Sequence, residues 1–546
     1  MGTPFTSIGF NVCHRKASGV MLLAVALMGN LLAAEIPPGV ALHPTQTLIR
    51  NNGSEPDSID PMLTEIVPGI NITLDLFEGL TAYDGAGKLV PGVALTWKQT
   101  NPTTWIFNLR RDAKWSNGDG VTADDFIYGM RRLVDPKTAS GYANTFGVFL
   151  LNGKEITEGK KAPTELGVKA IDKYTVEVKT PFPVGFLADL MANPQLGPAH
   201  KATVEKFGKE WTKPGNMVSN GAFTLRGWQV NSKIVLVKNP QYWDAKNVQI
   251  TKVTYLPIEG AVSDVKLFES GENDWVDALP PGTYEKYKSQ YPKEIRLTPL
   301  LGISYYAFLN SDPLLKDVRV RKALSMVVDR ELLSQRVLAN GQIPAYGLIV
   351  RGTNGADVIA YEWASWPMEK RVADARKLLM DAGVAPGTKI KFAYNTGEAN
   401  KNVAIFVASE WKSKLGLDLE LEAMEFKVLV KKRTDKNYQI ARHMWVADYN
   451  DATTFLSLVQ CGNDQNVQDS CTKAADALID KGNQNLDPGK RKALLTEAAK
   501  LAMDDYPLMP LWQSMTPRLI RTYVGGYTAT NFLDRYRGKD LYIIKH

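Results

Sequence analysis

Alternation and helical spacing of apolar residues predict both strands and helices in this chain. Residues 105–109 (WIFNL) and 174–179 (YTVEVK) alternate apolar and polar side chains, as half-buried strands do. A helix is predicted near residue 320, where apolar residues recur at positions i, i+3, i+4, i+7 and i+8: Val320, Ala323, Leu324, Val327 and Val328. The solvent-exposed side of this helix would carry Arg319, Arg321 and Lys322. A second helix is predicted from about residue 489 to 505, stopped by Pro507.

The mixture of elements predicts the fold class. Strands and helices alternate without a fixed repeat, and no Gly/Ser-rich or Pro-rich linker divides the chain. At 546 residues the chain can bury a large core. We therefore expect an α/β protein with lobes around more than one sheet, joined by several chain crossings.

Composition narrows the possible partners. The chain is 44% apolar and 23% charged, which is typical of globular proteins. Its formal charge of +7 comes from interspersed residues, 65 Lys and Arg against 58 Asp and Glu. No basic run of the length used by nucleic-acid-binding tails is present, so the sequence argues against a nucleic-acid partner.

The first 34 residues have the pattern of a Sec signal peptide. Arg15 and Lys16 precede an apolar segment at residues 19–28, and small residues end at Ala34. The alternative is a membrane anchor, but the segment is shorter than the ~20 apolar residues of a spanning helix. A lipid anchor needs a cysteine at the cleavage point, whereas Cys13 lies before the apolar segment. We expect export to the periplasm without a lipid anchor.

Two cysteines remain after cleavage, Cys461 and Cys471, on either side of a polar loop. An even count in an oxidising compartment indicates a local disulfide. The spacing, without a second cysteine pair or a nearby histidine, argues against zinc.

Signatures of catalysis and cofactor binding are scarce. The chain has no Gly-x-Ser-x-Gly, His-Glu-x-x-His or Walker motif, and His43, His200 and His443 are scattered. We expect no enzyme activity, cofactor or metal. A periplasmic serine hydrolase stays open as an alternative from another class because three Ser-x-x-Lys pairs occur: Ser263/Lys266, Ser409/Lys412 and Ser470/Lys473.

Several segments carry a family resemblance. Residues 94–97 (ALTW), 105–110 (WIFNLR), 114–118 (KWSNG) and 121–126 (VTADDF) resemble the signature of the family 5 extracellular solute-binding proteins, the receptors of peptide and nickel ABC importers. Further matches follow in the same order: 75–80 (DLFEGL), 219–222 (SNGA), 239–244 (NPQYWD), 317–321 (DVRVR) and 447–450 (ADYN). The resemblance extends from residue 35 to the C-terminus.

The resemblance implies a three-lobed periplasmic binding protein of the cluster C type. Lobe I would comprise residues 35–77, 202–300 and 516–546, lobe II residues 78–201, and lobe III residues 301–515. Lobes I and III would close over the ligand like a hinged clamp. The implied function is peptide transport: the receptor binds short oligopeptides and delivers them to ABC permease subunits in the inner membrane. Because the sequence has no obvious assembly motif, we expect a monomer.

A receptor for peptides of any sequence should bind what all peptides share, the backbone and the charged termini. The resemblance places the α-ammonium of the peptide on Asp448. The alternative is that Asp448 or Asp451 only caps a helix starting near Ala452, with Asp451 the better candidate.

Other site residues follow from the same resemblance. Strands at Met444, Trp445 and Val446 and at Glu65, Ile66 and Val67 would flank the peptide backbone. Arg442 and Arg433 match arginines that reach ligand carboxylates, with surface ion pairing as the alternative. Tyr142 and Trp445 match aromatic contacts, which ordinary core residues would equally explain.

Departures from the oligopeptide pattern concern the far part of the site. Phe426, Asn400 and Leu338 stand where Trp, His and Lys are usual, and Val446 replaces a Cys. Leu338 and Gly302 are more similar to the murein-tripeptide-binding members, whose ligand contains D-Glu and diaminopimelate. The sequence favours a broad oligopeptide receptor and leaves a cell-wall-peptide receptor as the alternative.

Overall fold

Strands run through nearly the whole described chain. The computed structural model describes residues 34, 36–463, 465–485 and 487–546, so the signal peptide predicted over residues 1–34 lies, apart from Ala34, outside the described residues. The strands are Thr47–Asn51 (β1), Thr81–Tyr83 (β2), Leu89–Pro91 (β3), Ala94–Asn101 (β4), Thr104–Leu109 (β5), Val168–Asp172 (β6), Thr175–Lys179 (β7), Phe223–Gln229 (β8), Lys233–Lys238 (β9), Lys252–Leu256 (β10), Ile295–Phe308 (β11), Ile343–Pro344 (β12), Lys389–Asn395 (β13), Asp418–Met424 (β14), Ile440–Val446 (β15), Leu508–Leu519 (β16), Val524–Gly525 (β17) and Tyr542–Ile543 (β18).

Helices alternate with these strands. They are Val67–Leu76 (α1), Ala123–Val134 (α2), Ala143–Gly147 (α3), Gly153–Thr157 (α4), Leu187–Leu190 (α5), Lys201–Phe207 (α6), Ala261–Glu269 (α7), Tyr284–Gln290 (α8), Val318–Met326 (α9), Arg330–Leu332 (α10), Met368–Asp381 (α11), Glu398–Leu415 (α12), Phe426–Thr434 (α13), Thr453–Leu456 (α14), Lys473–Asn483 (α15) and Pro488–Asp504 (α16). Among the described helices, none combines the length and the apolar composition that crossing a bilayer requires.

The strands form three larger sheets, two of mixed direction and one antiparallel. Two have four strands, in the orders β1-β10-β9-β8 and β4-β5-β7-β6, and the third has six, in the order β12-β16-β11-β15-β13-β14. Parallel pairing joins β1 to β10 and β13 to both β14 and β15, and the remaining pairs in these sheets are antiparallel. The predicted α/β class with more than one sheet is confirmed.

The six-stranded sheet is continuous across the predicted boundaries of lobe III. Its long strand β11 begins before residue 301, its long strand β16 ends after residue 515, and the two pair with each other over most of their length. The described residues belong to one compact unit. The lobe boundaries themselves stay a prediction.

The helix predicted near residue 320 is present as α9, but one of the arginines expected on its solvent-exposed side is buried. Arg321 is only 2% exposed. Its guanidinium donates to the main-chain oxygens of Leu315, Lys316, Asp505 and Tyr506. Periodicity could not show this because the carbonyl groups that satisfy Arg321 come from the segment just before α9 and from the residues just after α16.

The predicted disulfide between Cys461 and Cys471 is formed. Inside the loop it closes, Asn466 Nδ2 donates to the carbonyl oxygens of Gln460 and Ser470, at 2.9 and 2.7 Å. Gln465 Nε2 reaches out of the loop to Thr145 Oγ1 of α3, at 3.3 Å. The disulfide therefore fixes a loop that contacts a helix more than 300 residues earlier in the chain.

Candidate functional site

Asp448 lies two residues after the end of β15 and is buried, with 6% of its surface exposed. Its Oδ1 accepts a hydrogen bond from the Tyr142 hydroxyl at 3.1 Å, between residues 306 positions apart. Its Oδ2 is buried and has no hydrogen-bond partner among the described residues. Buried carboxylate oxygens are nearly always bonded, so this oxygen indicates a place for a donor from a ligand.

Electrostatics at Asp448 point to a cation. Burial raises the pKa of Asp448 to about 6, while the charge of Arg535 and the hydrogen bond from Tyr142 act in the opposite direction. Arg535 does not bond the carboxylate; its Nη2 donates to the Asp448 main-chain oxygen at 2.8 Å. The ionised carboxylate therefore lacks direct neutralisation, and an ammonium group at Oδ2 would supply it.

Strand β15 presents a partly unpaired edge. On one side it pairs with β11 from Ile440 to Val446, whereas on the other side β13 pairs only with Ile440 and Ala441. No other described strand pairs with the remaining part of that edge. The prediction of a strand at Met444, Trp445 and Val446 is confirmed.

The register shows which backbone groups face this open edge. Ala447 N–H donates to Leu301 O, and Leu309 N–H donates to Gln439 O. Because hydrogen-bonded pairs alternate along an antiparallel ladder, the odd-numbered residues of β15 bond β11 and the even-numbered ones point away from it. The outward groups belong to Arg442, Met444 and Val446, beside which an extended chain can add as a strand.

Two arginines lie at the start of the open edge. Arg433 Nη1 donates to the Arg442 main-chain oxygen at 2.9 Å, and Arg442 Nη1 lies 3.3 Å from Asn395 Oδ1. Burial and the neighbouring charge of Arg433 lower the pKa of Arg442 to about 10. Neither arginine forms an ion pair within the part of the chain described, so the alternative of surface ion pairing finds no support. A carboxylate of a ligand would neutralise the positive charges of these two arginines at the start of the open edge.

Glu65 lies close to Tyr142. The Glu65 carboxylate contacts the backbone of Gly141, the residue before Tyr142. A Cβ at Gly141 would come within 2.1 Å of Glu65 Oε1. Burial and the charge of Asp57 raise the pKa of Glu65, and a hydrogen bond from the Gly141 backbone lowers it. Burial raises the pKa of the Tyr142 hydroxyl, and the two neighbouring acids, Asp448 and Glu65, raise it further.

The strand predicted at Glu65, Ile66 and Val67 is wrong, because none of the three residues belongs to a strand. Ile66 is extended, but Val67 is the first residue of helix α1. Pro68 explains the difference, since its fixed φ suits the first turn of a helix and its missing N–H would be unpaired there in any case. Of the three residues, Ile66 is extended and is the N-cap of α1.

The other predicted site residues differ in their burial. Trp445 is half-buried, and its Nε1 donates to Thr454 Oγ1 at 3.1 Å. Asn400 donates to the main-chain oxygen of Asn395, and the side chain of Asn395 in turn accepts from Arg442. Phe426 is exposed at the start of α13, whereas Leu338 is buried in the core. Leu338 is thus a packing residue.

The N-cap position of α14 is Ala452, but Asp451 and not Asp448 bonds the start of this helix. Its Oδ1 accepts from the Thr453 N–H, the first residue of α14, at 3.1 Å, and its carboxylate forms a two-point ion pair with Arg491 at 2.7 and 2.8 Å. The Asp448 carboxylate makes no such bond to α14. Asp448 is therefore available for a ligand.

A cavity of about 540 Å³ adjoins Asp448 and Trp445. Its other walls come from residues 144–158, from 181 and 182, from the segment 449–463 and from α15. Sequence reasoning missed these walls and also missed Arg535, because no motif marks them and they meet Asp448 only through the fold.

Comparison with known proteins gives the chain close relatives. Residues 88–466 match the model of the bacterial extracellular solute-binding proteins, family 5. The periplasmic oligopeptide-binding protein OppA of Escherichia coli is 41% identical over 98% of this chain and 100% of its own. The periplasmic murein peptide-binding protein MppA of the same organism is 37% identical, again over 98% of this chain and 100% of its own.

Solved structures show the same similarity. OppA of Burkholderia pseudomallei superposes with a TM-score of 0.88 at 48% identity, over 92% of this chain and 100% of that one. OppA of Haemophilus influenzae in complex with the peptide RPPGFSPFR has a TM-score of 0.86 at 36% identity and the same coverage. The expected fold, a multi-lobed α/β periplasmic binding protein, is thereby confirmed.

Proposed function

Because this chain belongs to the family 5 bacterial extracellular solute-binding proteins, we propose that it captures short oligopeptides and delivers them to the permease of an ABC importer. Relatives over the whole chain are named oligopeptide-binding or murein peptide-binding proteins. Export to the periplasm by a cleaved signal peptide without a lipid anchor, a monomeric state and three lobes with the boundaries given above are part of this proposal.

One observation carries the proposal: the unpartnered Oδ2 of buried Asp448 lies just beyond the open edge of β15. A peptide running antiparallel to β15 would bring its α-ammonium to Asp448 and its main chain beside Met444 and Val446. Its C-terminal carboxylate would then approach Arg442 and Arg433. Each end of the peptide would meet a charge opposite to its own.

The length of the open edge sets the size of the ligand. The five residues from Arg442 to Val446 span roughly 13 Å at about 3.3 Å per residue. An extended peptide of about three to five residues has a matching length by the same rise. Longer peptides would have to leave the edge before their carboxylate reached the arginines.

Titration calorimetry of the purified protein with a tripeptide and its N-acetylated form tests the proposal. Asp448→Asn should weaken binding of the unblocked tripeptide by about 2 to 5 kcal/mol, the range for truncating one partner of a buried charge pair. Acetylation should weaken binding to the wild type similarly and add little in the variant. Asp381→Asn on α11, a surface carboxylate that pairs with Lys377, is the matched control. Unchanged affinity in Asp448→Asn would contradict the role of Asp448.

No bond of the ligand is made or broken in this proposal. Mass analysis after prolonged incubation should recover the peptide intact. An acylating probe should leave Ser263, Ser409 and Ser470 unlabelled, and labelling at one of them would favour the hydrolase alternative instead.

A second candidate is a receptor for a cell-wall tripeptide, favoured by the 37% identity to MppA over nearly the whole chain. Both candidates place a free α-ammonium on Asp448, so the Asp448→Asn variant does not separate them. Competition between a standard tripeptide and one containing D-Glu and diaminopimelate does. A strong preference for the latter would assign the protein to cell-wall peptides.

A further inference from the structure

The cavity beside Asp448 extends beyond the place of the peptide α-ammonium. Its volume of about 540 Å³ lies in the range of small-ligand sites, roughly 300 to 1,000 Å³. Asp448, whose buried Oδ2 has no hydrogen-bond partner among the described residues, is one of its lining residues, while Phe149 and Leu150 supply apolar surface. The space therefore adjoins the proposed peptide site and is large enough for a side chain.

The charges in its wall are unequal. Four carboxylates, Asp448, Glu155, Glu158 and Asp480, face one ammonium, Lys154. Glu158 is paired with Lys160 at 2.6 Å. Glu155 and Asp480 are exposed at the surface and form no ion pair with any residue that the structure describes. These two acids would attract a cation entering the cavity.

The wall opposite α3 and α4 is held in place by several contacts. Cys461, Gly462 and Asn463 line the cavity, and the disulfide to Cys471 closes their loop. The Cys461 N–H donates to the Asp476 carboxylate of α15 at 3.2 Å, and Gln465 bonds Thr145 of α3. The cavity is thus a formed site whose walls are tied together.

We infer that this acidic cavity receives the side chain of the peptide's first residue and selects a basic one. The inference rests on the proposed function, because Asp448 must hold the α-ammonium for the adjoining side chain to enter the cavity. A lysine or arginine side chain would bring its charge toward Glu155 and Asp480, while its methylene stem would lie along the apolar surface. An acidic first residue would be repelled.

Calorimetry with matched tripeptides tests this selection. Lys-Ala-Ala should bind about threefold to fivefold more tightly than norleucine-Ala-Ala, which has nearly the same shape without the charge, as expected for one ion pair with solvent access. Moving the same exchange to the third residue, Ala-Ala-Lys against Ala-Ala-norleucine, should change affinity by less than about twofold if the cavity is the cause.

The double variant Glu155→Gln/Asp480→Asn identifies the responsible acids. In it the ratio of the affinities for the two first-residue peptides should fall to within about twofold, whereas Asp374→Asn/Asp381→Asn on α11 should keep the wild-type ratio. An unchanged ratio in the double variant, or equal binding of both peptides to the wild type, overturns the inference and leaves peptide binding itself intact. Absence of binding by every peptide would overturn the proposed function, and this inference with it.

Discussion

The Asp448 carboxylate is almost completely buried, and this burial controls its protonation. Its pKa is raised to about 6 because burial disfavours the charged form. The α-ammonium of a peptide requires the ionised form, and in the complex its positive charge would lower the same pKa. Proton binding and peptide binding to Asp448 therefore compete.

This competition predicts a pH dependence of peptide affinity. Above about pH 6.5 the affinity should be nearly constant, and below about pH 6 it should fall by up to tenfold per pH unit, because one proton must leave Asp448 on binding. Calorimetric titrations from pH 5 to 8 would measure this slope. In Asp448→Asn the slope should disappear, and a slope that persists in the variant would assign the titration to another group.

The same raised pKa predicts that Asp448 reduces the stability of the ligand-free protein at neutral pH. A carboxylate whose pKa rises from 3.8 to about 6 on folding contributes stability below about pH 4, and that contribution is lost as the pH rises through 6. Ligand-free Asp448→Asn should therefore be more stable at pH 7.5, by up to about 3 kcal/mol. Urea denaturation of both proteins after removal of bound peptide would measure this, with no difference expected at pH 4. Equal stability at both pH values would contradict the prediction.

At the residue scale, the sequence predicted different roles for the neighbouring acids Asp448 and Asp451, but it did not predict the residues that surround them. Asp451 as the residue that bonds the start of α14 was predicted from its position and is confirmed. The Tyr142 hydroxyl bond to Asp448 was not predictable in the same way, since it joins residues 306 positions apart. Arg321 was assigned to solvent because the carbonyl groups that bury it lie in other segments.

At the scale of elements, local patterns predicted strands and helices better than their free edges. The alternation in residues 105–109 and 174–179 corresponds to β5 and β7, and the second predicted helix corresponds to α16 with Asp487 as its cap. An open edge, in contrast, depends on where β13 diverges from β15, and no local pattern of β15 records this.

The open edge of β15 predicts that backbone amides of the ligand contribute to binding in alternation. N-methylation of a peptide amide that faces β15 removes a donor and should weaken binding about tenfold, near the value of one hydrogen bond with its steric cost. Methylation of a neighbouring amide that points away from β15 should have a smaller effect. A calorimetric scan of single N-methylated tetrapeptides would measure this, and equal effects at all positions would contradict strand addition at β15.

At the scale of the whole molecule, the fold connects its proposed lobes through one sheet. Strands β11 and β16 cross the predicted boundaries at residues 300/301 and 515/516 side by side, which accounts for the absence of a linker in the sequence. The family resemblance supplied the lobe order and the candidate site, which composition and periodicity alone do not give. The acidic cavity beside Asp448 was found only in the structure, because its walls come from segments about 300 residues apart.

Native mass spectrometry of protein purified without refolding, in parallel with Asp448→Asn, is a direct test of peptide capture. The wild type should carry a series of intact peptides of about three to five residues, matching the length of the β15 edge. The variant should carry far less of the same series. A wild-type protein that is empty and ignores a peptide library, or a variant that retains the full series, would contradict peptide capture through Asp448.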